Sequence, residues 1–208
     1  MFVLSIKWIL LNSHSRAQLS AVESLHARDY IHRDVKPSNF TVRFDNAVPT
    51  IFLIDFGLAR LFRNPATYLH IPYTTKHSVV GTLPFTSING QRGRAQSRRD
   101  DLESLAYTII FLARGHLPWP AFSVRKNRNK KAVLRKKMTI TTEELCEGLP
   151  PPFSKFVVHV RSLGFNEKPD YQYLHSILLQ CSEIETEPTE APPSSPCVSF
   201  TPVTSDRV

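Results

Sequence analysis

The chain has 208 residues, 41% hydrophobic and 21% charged, enough for one globular domain with a sizeable core. Its three cysteines, Cys146, Cys181 and Cys197, show no paired spacing, which argues against a disulfide framework or a cysteine zinc site and favours a reducing, intracellular setting in cytoplasm or nucleus. Net charge is +8, yet residues 182–208 hold five acids against one base, so the first 181 residues carry about +12 and favour acidic partners.

Met1 to Leu11 is apolar but far shorter than the ~20 residues a membrane helix needs. It lacks a basic leader and a small-residue cleavage site, so it reads as a buried or partly disordered start rather than a signal peptide. From Arg16 to Arg28, Leu19, Val22 and Leu25 recur at helical spacing and predict an amphipathic helix. A short extended stretch at Tyr30–Ile31 leads into a polar loop, His32 to Asn39. Phe40–Phe44 and Thr50–Ile54 read as strands around a turn at Asp45-Asn46. Residues 55–99 read as loop-rich. Asp101 to Ala113 is apolar nearly all round, which predicts a buried helix ended by Gly115 and Pro118. Residues 125–137 are a basic run, read either as a solvated loop or helix face or as an anion-binding, nuclear-localisation-like stretch. Helices are expected at 141–147, 151–163 and 170–181, and a disordered Pro/Ser/Thr/Glu-rich tail from Ser182.

Two motifs carry chemistry. His32-Arg33-Asp34-Val35-Lys36-Pro37-Ser38-Asn39 is followed, 16 residues beyond Asn39, by Asp55-Phe56-Gly57. Phosphoryl transfer asks a protein for a positioned hydroxyl, screened phosphate charge and in-line geometry. A carboxylate beside the attacking hydroxyl accepts its proton, the place read for Asp34. Lys36 can face the same way and meet the transferring phosphate. Asn39 is a neutral oxygen ligand, and Asp55 supplies the carboxylate that magnesium prefers. Gly57 is expected to let the backbone turn sharply after the metal ligand.

With these motifs the chain resembles the protein kinases. Further stretches make it resemble casein kinase I: His70-Ile71-Pro72-Tyr73, Gly81-Thr82, Ser87-Ile88-Asn89, Gln96 to Leu105, Leu117-Pro118-Trp119 and Lys168-Pro169-Asp170-Tyr171. The resemblance runs from about Arg16 to Gln180. It implies a mostly α-helical kinase C-lobe with small β-hairpins at the active-site loops, a truncated form of an α+β fold. It implies ATP and Mg2+ as cofactors and protein substrates, acidic or phosphorylated ones among them, with nucleic acid not expected. It gives Thr82 a contact with Asp34 and Lys36, and Asp101 a bond to the catalytic-loop backbone. Arg33 and Gly57 take structural roles, and so does Arg161, placed near Asn89. Thr41 and Ile54 become the floor under the adenine ring.

The chain also departs from the family. Residues 1–14 do not match it, so the organisation reads as a non-matching segment 1–14, a kinase C-lobe 15–181 and a tail 182–208. None of the seven glycines forms G-x-G-x-x-G, and no N-lobe is recognisable. Ser38 replaces a usual acid. Leu83-Pro84 stands where the family carries an arginine for primed substrates, so that preference does not carry over. The expected function is casein kinase I-like transfer of phosphate from Mg-ATP to protein Ser/Thr, with the 208 residues inactive alone. The alternative is a non-catalytic protein- or anion-binding module.

Overall fold

A computed structural model describes residues 2–45, 48–119 and 129–183. Its elements are mostly α-helical with small sheets. In chain order they are α1 (Phe2–His26), β1 (Tyr30–Ile31), β2 (Phe40–Asp45), β3 (Val48–Leu53), β4 (Arg60–Leu61), α2 (Ile88–Gln91), α3 (Arg98–Arg114), α4 (Lys130–Thr139), α5 (Thr142–Leu145), α6 (Pro152–Ser162) and α7 (Tyr171–Glu183).

The core is built around α3. Leu102, Leu105, Tyr107, Ile109 and Ile110 are all buried, so contact on every side replaces the usual polar face. Each such side chain contributes about 1.5–3 kcal/mol relative to exposure. At the start of α3, the Asp100 carboxylate accepts the Ser97 N–H at 2.7 Å, satisfying a donor that the first turn leaves free. At its end, Gly115 adopts φ +77° and donates its N–H to Phe111 O, the left-handed stop that glycine makes without strain. α1 packs on α3 and α7 through Leu19 and Val22, one helical turn apart. α6 offers Phe153, Phe156, Val157 and Val160, and α7 offers Leu174, Ile177, Leu178 and Cys181, a spacing of three and four that closes the bundle.

Two differences from the sequence reading have physical causes. The first helix begins at Phe2 rather than near Arg16, because no proline or glycine interrupts residues 2–26. The second half of the basic run is a helix, α4, with a buried side, since Val133 and Lys137 stand four residues apart and both face inward. Residues 125–128 of that run, and the tail from 184, lie outside the described residues.

The sheets are small and local. β2 and β3 form a hairpin in the register Phe40↔Leu53 through Asp45↔Val48. β1 and β4 pair antiparallel, Tyr30 with Leu61 and Ile31 with Arg60, and so bring the stretch after Asp55 back beside the loop before His32. Residues 62–87 are largely irregular but tied down: Phe62 is buried, its N–H reaches Asp29 O, and Ala95 N reaches Thr74 O. Among the described residues, no helix is long and apolar enough to cross a membrane.

Candidate active site

The loop from His32 to Asn39 is pinned from below by one buried carboxylate. Asp101, 1% exposed near the start of α3, accepts the N–H of His32 at 2.6 Å and of Arg33 at 2.8 Å. It also bonds His26 Nε2 at 3.0 Å, and His26 Nδ1 lies 2.5 Å from the Tyr171 hydroxyl. Burial pushes the Tyr171 hydroxyl well above its ordinary pKa, so it donates to Nδ1 and leaves the Nε2 proton for Asp101. Arg33 adopts φ +67°, a left-handed conformation rare outside glycine, and its two-point hold by Asp101 and by Leu58 O keeps it there. His32 spans to the other motif: its Nε2 bonds Ile54 O at 3.0 Å and its ring meets Phe56 edge-on.

Above that base, Asp34, Lys36, Asn39 and Thr82 form one cluster. Asp34 Oδ1 accepts the Thr82 N–H at 2.7 Å, and Oδ2 pairs with Lys36 Nζ at 2.7 Å. Lys36 Nζ also donates to Thr82 Oγ1 at 2.9 Å. Asn39 Nδ2 donates to Asp34 O at 2.9 Å and approaches Oδ2 at 3.4 Å. A single acid is thus fixed by a cation and by backbone and amide donors. Gly81 makes the approach possible: it has φ +92°, and a Cβ there would lie 2.5 Å from Arg33 O.

The β2–β3 hairpin sets the candidate metal ligands side by side. Asn39 precedes β2, Asp55 follows β3, and the ladder continues one step through Ile54 N to Asn39 O at 2.9 Å. Asp55 is exposed, with φ 64° and ψ 72°, and its Oδ1 accepts the Gly57 N–H at 3.3 Å. The sharp turn therefore lies at Asp55, not at Gly57. Gly57 leaves room beside the exposed Asp55 carboxylate, since a Cβ would sit 3.2 Å from its Oδ1. No group of three or more His, Cys, Asp or Glu able to hold a metal occurs among the described residues. Magnesium asks for less: one or two protein oxygens, the rest of its shell coming from phosphate and water. Asn39, with its amide nitrogen tied to Asp34, and the exposed Asp55 suit that donor set. Thr41 is exposed on β2, and Ile54 is 41% exposed just after β3, beside the same hairpin end.

Behind Thr82 lies a polar cluster that the sequence reading missed. Lys137 is fully buried and donates to Leu83 O at 2.9 Å and Thr86 O at 2.6 Å. Its ammonium sits 5.1 Å from the Tyr107 ring centre and 5.0 Å from that of Trp119, within cation–π range. Burial lowers its pKa to about 7, with Glu103 opposing and Arg161 adding to the shift. Glu103 Oε1 accepts the Tyr107 hydroxyl at 2.5 Å and Ile88 N at 3.2 Å. Arg161 bonds Tyr107 OH and Lys137 O, while Asn89 Oδ1 accepts from Arg94. Arg161 thus ties α6 to α3 and α4. Asp100 accepts the Ser87 hydroxyl at 2.6 Å, and burial raises its carboxyl pKa to about 7. The available signal for Lys137 was its four-residue spacing from Val133.

A cavity of about 120 Å3 opens beside the catalytic loop, lined in part by Arg33, Arg60, Arg94, His77 and Gln96. Burial, then Arg60, lowers the Arg33 pKa.

The chain matches a family model described as protein kinase domain over residues 10–180. It is 39% identical over 176 residues to casein kinase I homolog 2 of Schizosaccharomyces pombe, covering 83% of this chain and 40% of that protein. It is likewise 39% identical over 166 residues to casein kinase I homolog 3 of the same organism, covering 78% of this chain and 38% of that protein. The chain thus spans about 40% of the length of these curated relatives. On these matches the chain belongs to the protein kinase domain family, in its casein kinase I branch.

Proposed function

We propose that these residues carry the catalytic and metal-binding loops of a protein serine/threonine kinase, which transfers phosphate from Mg-ATP to Ser or Thr hydroxyls of protein substrates. The observation that carries this reading is the Asp34–Lys36–Thr82 cluster, joined by contacts of 2.7–2.9 Å. Asp34 faces the incoming hydroxyl and takes its proton as the oxygen attacks the γ-phosphorus, while the bond from that phosphorus to the bridging oxygen breaks and ADP leaves. Lys36, already paired with Asp34 and Thr82, offers its ammonium to the transferring group. Asn39 and Asp55 would hold magnesium with the nucleotide, and the metal would supply neutralisation of phosphate charge. Thr41 and Ile54 lie where the base of ATP would rest. Arg33, Gly57, Asp101 and Arg161 serve the scaffold. An intracellular setting in cytoplasm or nucleus is supported by a sequence whose three cysteines show no paired spacing.

The 208 residues contain no glycine-rich phosphate loop. Tested as an isolated polypeptide, they leave the phosphates open to water, where electrostatic stabilisation is weak. The test joins these residues behind a casein kinase I N-lobe and compares radiolabel transfer to casein by that protein and by its Asp34→Asn variant. Transfer that vanishes in the variant supports the reading, and transfer that survives sinks it. Asp34-dependent transfer by the 208 residues alone would contradict their dependence on a covering lobe.

The three guanidinium groups at the cavity favour a second reading, a non-catalytic module that binds phosphorylated or other anionic protein segments. Phosphopeptide binding that Arg94→Ala abolishes, with no ATP binding, would support it.

A further inference from the structure

The turn that carries Thr82 is held from behind by a cation with no access to solvent. Phe85 N and Thr86 N both reach Thr82 O, at 2.9 and 3.0 Å, and Thr86 Oγ1 adds a third bond at 3.1 Å, so residues 82–86 form one tight loop. The outward carbonyls of that loop, at Leu83 and Thr86, point inward to Lys137 Nζ. In front, Thr82 bonds Asp34 and Lys36. The loop therefore sits between two ammonium groups: Lys36 on the active-site side and Lys137 on the core side. A buried lysine is costly, and a methionine of similar length would fill the same space beside Tyr107 and Trp119 without that cost. The ammonium instead satisfies two carbonyls that would otherwise be buried without partners.

We propose that Lys137 is a positioning residue of this kinase site: by bonding Leu83 O and Thr86 O it fixes the 82–86 loop, and through Thr82 it sets the register of Asp34 and Lys36 against the protein substrate. The proposal rests on the kinase reading above. It separates Lys137 from the rest of the basic run, whose other members on α4 do not reach the core. The charged or titrating groups facing Lys137 are Glu103 and Tyr107 of α3 and Arg161 of α6, while α2 presents none.

The test uses the 208 residues for hydrogen exchange and, for kinetics, the same residues joined behind a casein kinase I N-lobe, each as wild type and as Lys137→Met, with two readouts. Hydrogen exchange of the Thr82, Phe85 and Thr86 amides is expected to speed up by about tenfold or more, with the amides of α3 nearly unchanged, as loss of two charge-assisted bonds implies. In steady state, KM for the protein substrate rises about fivefold or more while KM for ATP stays within about twofold. Equal acceleration in α3 and the loop, or no acceleration, overturns the proposal. So does a KM change shared by both substrates. Absence of phosphotransfer by the wild type sinks the kinase reading instead, and the exchange data still decide whether Lys137 holds the loop. If Lys137→Met does not fold, Lys137→Gln replaces it in the same exchange measurement: acceleration confined to the Thr82, Phe85 and Thr86 amides supports the proposal, and equal acceleration in loop and α3, or none, overturns it.

Discussion

Asp101→Asn tests how the catalytic loop is anchored. The carboxylate is 1% exposed and serves three donors: His32 N, Arg33 N and His26 Nε2. An asparagine keeps the shape but has one oxygen. With that oxygen on the side of His32 and His26, its NH2 faces the N–H of Arg33, and two donors oppose each other. The orphaned pair costs about 1–3 kcal/mol. The remaining two bonds lose their charge assistance, about 1 kcal/mol each. The sum, about 3–5 kcal/mol, is a large part of the 5–15 kcal/mol that usually holds a domain together. In urea unfolding, with a slope near 2 kcal/mol/M, the midpoint falls by about 1.5–2.5 M at unchanged slope. Exchange of the His32 and Arg33 amides accelerates at least as much as global unfolding. Because the site is dry, adding salt leaves the difference between wild type and variant nearly constant. A loss below about 1 kcal/mol, or a difference that collapses in salt, would refute the idea that Asp101 is a dry acceptor on which three donors depend.

Other outcomes follow from the same geometry. Gly81→Ala forces a Cβ to 2.5 Å from Arg33 O at a φ of +92°, so it should destabilise by about 2 kcal/mol or more by thermal melting and depress phosphotransfer; a neutral effect would mean the Thr82 loop shifts freely. Tyr107→Phe removes a hydroxyl shared by Glu103 and Arg161, and a loss of about 1–3 kcal/mol in urea titration is expected, a gain being contrary. Asp100 has its carboxyl raised to about 7 by burial from an ordinary 3.8, so between those pH values the folded state holds the proton more often than the unfolded state. Its contribution is therefore full below about pH 4 and lost as pH rises through 7. The stability advantage of wild type over Asp100→Asn should shrink from pH 4.5 to 7.5, and an advantage that grows over that interval would reverse the sign of the argument.

Much of the candidate site was legible because its residues are close along the chain. His32 to Asn39 and Asp55 to Gly57 are contiguous motifs, and the hairpin between them is set by two short runs and a turn. The α3, α6 and α7 helices were legible for a similar reason, since their apolar residues recur within one or two turns. Less of the scaffold was legible. Ser87 to Asp100, Leu83 to Lys137 and Tyr171 to His26 are pairs whose members lie 13, 54 and 145 positions apart, and no local pattern marks them. The bonds of Arg161 to Tyr107 and Lys137 span 54 and 24 positions and are equally unmarked.

By itself, then, the amino-acid sequence determined the family the chain belongs to and the helices α3, α6 and α7, because contiguous motifs and apolar periodicity are both local properties. Tertiary structure alone decided which charges are buried. Lys137 stands in a run of bases that composition assigns to solvent, yet packing against Tyr107 and Trp119 brings it to two carbonyls that need donors. It also decided that the left-handed turn of the metal loop falls on Asp55 while Gly57 only makes room, since backbone strain is distributed by the contacts on either side of a motif and not by its spelling.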